Sequence, residues 1–279
     1  MRNVDEKTVE GFGKEWSWCD QTPLSADELE RQFAAYFSVF PWDRIPPDAE
    51  GFDAGCGSGR WAQKVAPRVG RLHCVDASAE ALDVARKKLA RLGNCAFHHA
   101  SLADMPFSDG SMDFGYALGV LHHLPDTAAG IAACTRKLKL GAPFLVYIYY
   151  AFDSRPAWFR ALWHVSDAMR GIICRLPGRT RLWVTWPIAA FVYWPLARVA
   201  LLLERLGLGV EVIPLSAYRN KSFYSMRTDA LDRFGTRLEK RFTADQIHRM
   251  MTEARLENIR FSDGVPYWCA VGFVAPRSK

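Results

Sequence analysis

The run Glu50-Gly-Phe-Asp-Ala-Gly-Cys-Gly-Ser-Gly59 restricts the fold of this chain more than any other stretch. It reads as a short strand ending in three glycines, Gly55, Gly57 and Gly59, followed by a helix. Glycines there let the backbone turn sharply and approach a ligand closely, and the helix N-terminus presents free N–H groups to a negative group. From Gly51 to Tyr150 short apolar runs alternate with helical stretches, the pattern of a parallel, doubly wound α/β sheet. Strands are expected at 51–54, 71–75, 95–99, 112–118 and 143–150. One helix is expected to start at Ser78, with Leu82, Ala85 and Leu89 on one face, and another after Asp126 as N-cap.

After the fifth strand the alternation stops for about 65 residues and then resumes. Thr243 and Gln246 have the spacing of a capping box, and strands near 256–261 and 267–275 end the chain. Four parts are expected. They are an N-terminal helical lid (1–48, helical around Ala26 to Phe40), a cofactor-binding core (49–152), a helical cap insertion (153–215) and the C-terminal part of the core (216–279). The 279 residues suffice for one α/β domain of about 200 residues with an insertion.

The glycine turn alone suits either a pyrophosphate or an amino-acid carboxylate. Two features sharpen it. The spacing is GxGxG rather than the GxGxxG of dinucleotide folds, and Asp53 stands two residues before the first glycine, where it would repel a pyrophosphate but suit an ammonium. Asp76 closes the second strand, 23 residues after Asp53, as an acid that would accept both ribose hydroxyls of an adenosine.

Four stretches, 52–62, 74–82, 103–126 and 136–146, resemble in order and spacing the class I S-adenosylmethionine (SAM) dependent methyltransferases, small-molecule type 11 branch, which includes quinone C-methyltransferases. The resemblance implies a Rossmann-like, mostly parallel seven-stranded sheet, with SAM as cofactor and S-adenosylhomocysteine as product. It also implies that Gly55 and Gly57 flank the methionine part, with Asp53 as a supporting acid. Asp76 would hold the ribose, Ala77 would lie along the adenosine, Ser101 and Leu102 would edge the adenine, and Leu118 would offer backbone to the ammonium end. The family often has an aspartate where Ser101 stands, so adenine recognition is expected to rest on backbone or on Asp104.

His122 and His123 follow the fourth strand, where the family places residues near the transferring methyl. Either imidazole could take a proton from the acceptor, or could simply brace the loop. Tyr149, Tyr150 and Asp153, at the C-terminal end of the fifth strand, are candidates for the acceptor site, with rim packing as the alternative. His98 and His99 read as structural, and the charged run from Arg237 to Arg241 as solvated surface. Seven scattered cysteines without CxxC or zinc spacing predict free thiols and no metal. The first ten residues lack the apolar core of a signal peptide, so a cytoplasmic enzyme is expected. A non-catalytic SAM-binding module of the same fold is the alternative.

The insertion differs from the rest of the chain. Between Asp153 and Val210 it carries eight arginines, no lysine, three acids and five of the ten tryptophans. Sixteen residues from Leu182 to Ala197 pass without a charge, approaching the length of a bilayer span, but Pro187 and Pro195 are expected to break a continuous helix. Two readings stand: a cap that walls an apolar pocket for a small-molecule acceptor, and a cap that also rests peripherally on a membrane at its inner face. Nucleic acid is not expected, because the basic residues are interleaved with large apolar ones. The sequence carries no signal for an oligomeric state.

Overall fold

In the computed structural model, which describes residues 3–153 and 155–276, the strands form where the sequence places its short apolar runs. They are β1 (Glu50–Ala54), β2 (Arg71–Asp76), β3 (Cys95–His99), β4 (Phe114–Leu118), β5 (Pro143–Tyr147), β6 (Leu256–Phe261) and β7 (Cys269–Val274). Among the described residues these seven form one sheet in the order β3-β2-β1-β4-β5-β7-β6. β1 to β5 run parallel, and β7 is antiparallel to both β5 and β6. The order reverses between β1 and β4, so the carboxyl ends of these two central strands open a crevice.

The helices are α1 (Glu6–Trp18), α2 (Ala26–Tyr36), α3 (Ala62–Val65), α4 (Ala79–Lys88), α5 (Thr127–Lys137), α6 (Ala157–Ile173), α7 (Gly178–Ile188), α8 (Trp194–Arg205), α9 (Phe223–Gly235) and α10 (Ala244–Glu253). Ser78 caps α4 through Ala81 N–H, and Asp126 caps α5 through Ala129 N–H. The Thr243–Gln246 capping box closes on α10.

The chain divides into two compact units. The first comprises the chain up to Asp20, Gln32–Ala151, and the chain from Leu238 onward. Its sheet is buried on both faces. Phe52, Ala117, Phe144 and Val146 pack on one side with Ile131 of α5 and Ile247 of α10. Cys74, Phe114, Tyr116 and Leu145 pack on the other with Leu82 and Ala85 of α4 and with Phe37. Large and small residues interlock across β1 and β4, where Gly51 faces Phe114 and Phe52 faces Gly115.

The second unit comprises Gln21–Arg31 and Phe152–Arg237. It therefore extends past the expected boundary at 215 and draws in a piece of the N-terminal segment, and α9 explains why. Met226, Ala230 and Phe234 of α9 share a core with Ile173 of α6 and with Ala189, Tyr193 and Ala197. Gln21–Arg31 is tied to α9 by the Glu28 carboxylate, which accepts from Ser222 N–H at 3.1 Å and the Ser225 hydroxyl at 2.5 Å.

The prolines do not interrupt the apolar stretch. Gly178–Arg205 is one helical rod of 28 residues. Pro187 lies inside α7, and a π-helical turn follows at Ala189–Tyr193. Proline displaces the carbonyl four residues before it, which for Pro195 is that of Phe191 inside the π-helical turn, so the wider turn takes up the misfit of Pro195 without ending the helix.

Candidate active site

All three glycines of the turn are left-handed, with φ of +74° at Gly55, +52° at Gly57 and +76° at Gly59. The turn is anchored to β2, because Gly55 N–H and Cys56 N–H both donate to the Val75 carbonyl, at 2.8 and 3.0 Å. Space is as short as conformation. A Cβ on Gly55 would stand 2.6 Å from Val120, and one on Gly57 would stand 3.0 Å from the Trp16 indole nitrogen.

Asp76 ends β2 beside this turn. One carboxylate oxygen accepts from Gly57 N–H at 2.9 Å and the other from Ser78 N–H at 2.8 Å. The carboxylate is therefore aimed by the two loops it joins, while each oxygen keeps a lone pair for a further donor. Burial raises its proton affinity, and these two backbone donors oppose the rise. Ala77 follows directly, with its carbonyl accepting from a ring nitrogen of His99 at 2.9 Å. Ser101 donates to Asp104 at 2.8 Å, and Leu102 is buried in the short turn between them. Leu118 is buried at the end of β4, paired with Tyr147.

Asp53 lies beneath the turn, 1% exposed. It pairs in register with Tyr116 of β4, whose buried hydroxyl is near enough to act on the carboxyl as a donor but forms no well-aligned hydrogen bond with Oδ2. Burial pushes the Asp53 carboxyl from its ordinary 3.8 up to about 8, against the weaker opposing influence of Tyr116. An enclosed acid with an unsatisfied oxygen is costly unless a positive group comes near.

The two histidines belong to a short 3-10 turn, Leu121–His123, reached through Gly119 at the end of β4. They differ in environment. His122 is fully enclosed and stacked on Tyr149, with ring centroids 3.8 Å apart. Burial, followed by neighbouring His123 and Arg241, holds it neutral. His123 donates from Nδ1 to the Leu238 carbonyl at 2.7 Å, so in the neutral ring Nε2 is the acceptor nitrogen, buried and without a hydrogen-bond partner among the described residues. Tyr149 thus joins the histidines. Tyr150 turns elsewhere, to the rings of Tyr267 and Trp268, and Asp153 is an exposed turn residue of the second unit.

The charged run at 237–241 is solvated at Arg237 but not at Glu239 and Arg241. The Glu239 side chain is 1% exposed and bonded to Arg241, whose guanidinium lies 5.1 Å from the Tyr149 ring centre. Sequence reasoning also missed α1. Gly13 packs so close to Ser78 that a Cβ would stand 2.5 Å from the Ser78 hydroxyl. Phe12 lies 4.8 Å from the His123 ring, and Trp16 lies against Gly57. One helix face thereby covers the glycine turn, the start of α4 and the histidine turn. Its signals were present, with Asp5 as N-cap and Val9, Phe12 and Trp16 at helical spacing.

Residues 52–141 match the family model described as a methyltransferase domain. The chain is 33% identical over 91 residues to a ubiquinone biosynthesis O-methyltransferase of Aromatoleum aromaticum, covering 32% of this chain and 39% of that protein. It spans between about a quarter and a half of the length of the curated relatives it matches. Among solved structures, a candidate methyltransferase of Bacillus halodurans superposes with TM-score 0.52 at 15% identity, over 83% of this chain and 72% of the other. Haemonchus contortus phosphoethanolamine N-methyltransferase 2, in complex with phosphomonomethylethanolamine and S-adenosylhomocysteine, gives TM-score 0.52 at 14% identity, over 91% of this chain and 43% of that one. The two structures share the fold with this chain.

Proposed function

We propose that this chain, whose residues 52–141 match a methyltransferase domain, is a class I SAM-dependent enzyme that transfers a methyl group from SAM to an O, C or N nucleophile of a small, hydrophobic metabolite. The observation that carries the reading is the Asp76 carboxylate, held by Gly57 and Ser78 N–H beside a left-handed glycine turn. A pair of ribose hydroxyls is what two oriented carboxylate oxygens can accept from, and the closeness of the turn leaves room only for backbone against the methionine part.

The chemistry of Asp53 fits the same cofactor. The SAM ammonium would favour the ionised form of an acid that burial otherwise keeps protonated at neutral pH. Gly55 and Gly57 would take the methionine part, Ala77 the adenosine, Ser101 and Leu102 the adenine edge, and Leu118 backbone contacts at the ammonium end. When bound, SAM supplies an activated sulfonium methyl, so alignment accounts for much of the rate.

Two consequences are measurable. The folded chain keeps a proton on Asp53 between pH 4 and 8 that the unfolded chain has lost. The stability tied to this group is therefore full below pH 4 and is lost as pH rises toward 8. Binding of S-adenosylhomocysteine, which carries the ammonium, is expected to release a proton near pH 7. Its calorimetric heat should then depend on the ionisation enthalpy of the buffer, and should lose that dependence in Asp53→Asn. Buffer-independent heat in the wild-type chain would refute the role given to Asp53.

His123 is assigned as the residue that accepts the acceptor's proton, because its tautomer leaves Nε2 free to do so, while His122 braces Tyr149. His123→Asn can keep a donor toward the Leu238 carbonyl while removing the base. It is expected to lower kcat about 100-fold, with S-adenosylhomocysteine affinity and thermal stability retained. Full activity with an unchanged pH profile would remove His123 from the chemistry.

The hydrophobic acceptor is supported by the ubiquinone-pathway relative and by the aromatic surroundings of the histidine turn, Phe12, Tyr147 and Tyr149. Its test is methyl transfer from radiolabelled SAM into cell extract, followed by solvent partition. Label in a small organic-phase product supports the reading, and label only in the aqueous phase contradicts the hydrophobic acceptor.

A further inference from the structure

The second unit exposes an apolar surface that its own core does not use. On α6, Trp158, Leu162, Val165, Met169 and Ile172 are all exposed and recur at spacings of four and three, forming one stripe along the helix. The rod Gly178–Arg205 repeats the arrangement. Its buried positions Thr185, Ala189, Tyr193, Ala197 and Ala200 are mostly small and face the unit's core, while Trp183 is 80% and Phe191 76% exposed. Single exposed apolar residues are ordinary, but stripes of them on successive helices mark a surface that meets something apolar.

The charge of the unit indicates what that is. Its exposed ionised residues are Arg31, Arg160, Arg175, Arg179, Arg205 and Arg237 against Asp27, Glu30, Asp153 and Glu211, a net positive surface. Guanidinium groups pair with phosphate oxygens, and tryptophans on the stripes suit the boundary between headgroups and acyl chains. The rod is long and apolar enough to cross a membrane, but its packing partner α9 carries Arg227, Asp229, Asp232 and Arg233, which the hydrocarbon core would strongly disfavour. An orientation in the plane of the interface accommodates both faces.

We propose that the α6 stripe and the exposed face of Gly178–Arg205 seat this chain on a bilayer containing anionic phospholipid, peripherally and without spanning it. The inference is independent of methyl transfer and concerns a different surface from the glycine turn.

Gradient flotation of the full chain with phosphatidylcholine vesicles, with and without phosphatidylglycerol, tests it. Co-flotation with the anionic vesicles, weakened by raised salt, is expected. Trp183→Glu/Phe191→Glu, at two solvent-exposed positions, should lower vesicle partitioning at least about tenfold with S-adenosylhomocysteine binding unchanged. The proposal is overturned if the wild-type chain stays unbound at low salt, or if the double variant floats as well as wild type. It is equally overturned if sedimentation without lipid shows a dimer that this variant dissolves while vesicles capture nothing.

Discussion

Replacing Asp76 by Ala is expected to weaken S-adenosylhomocysteine binding by about 1–3 kcal/mol, or roughly 5- to 150-fold, as measured by calorimetric titration. The loss has two sources. The ribose loses its acceptor, and Gly57 and Ser78 N–H lose the carboxylate that holds the two loops together. Asp76→Asn should be no milder. An amide presents a donor where the aspartate accepts, so its nitrogen would face either Gly57 or Ser78 N–H. Wild-type affinity in Asp76→Ala would remove the residue from the cofactor site.

Gly55→Ala should be the more disruptive change for the fold. The φ of +74° costs a non-glycine residue about 1–2 kcal/mol. The new methyl, 2.6 Å from Val120, adds an overpacking cost of about 1–3 kcal/mol. Denaturant unfolding should therefore show a loss of about 2–5 kcal/mol together with lost cofactor binding. The two costs can be separated. Adding Val120→Ala removes the two methyls at 2.6 and 2.9 Å but keeps the Val120 Cβ at 2.7 Å, so it should recover part of the overpacking cost and none of the dihedral cost, whereas no recovery would contradict the packing described here.

The local geometry of the candidate site was legible in the sequence where chemistry and backbone conformation coincide. Three glycines forced to positive φ, an acid closing β2, and caps at Ser78, Asp126 and Thr243 are local signals, each legible without knowledge of distant contacts. What was not legible depends on packing. α1 contains two glycines that lower helix propensity, but Gly13 is needed because only a residue without Cβ fits against Ser78. α9 looked like a return toward the core, yet its apolar face is completed by α6 and the long rod. The prolines of that rod predicted a break because a π-helical turn, which absorbs the misfit, leaves no mark on spacing. Arg241 read as solvated because nothing local shows that Tyr149 and Glu239 lie beside it.

The same division separates the candidate acceptor residues. Tyr149 and Tyr150 are sequence neighbours on opposite faces of an extended segment, so only one can meet the histidine turn. Tyr149 does so, and Tyr150 packs against Tyr267 and Trp268. The alternation was visible in the sequence, but which face held the histidines was not.

The geometry of the Gly55–Gly59 turn and Asp76 suits SAM rather than a dinucleotide. Calorimetric titration of the full chain with S-adenosylhomocysteine, and separately with NAD, tests it most directly. Saturable one-to-one binding of S-adenosylhomocysteine with no heat from NAD is the predicted result. Binding of NAD in its place, or of neither, would contradict the account.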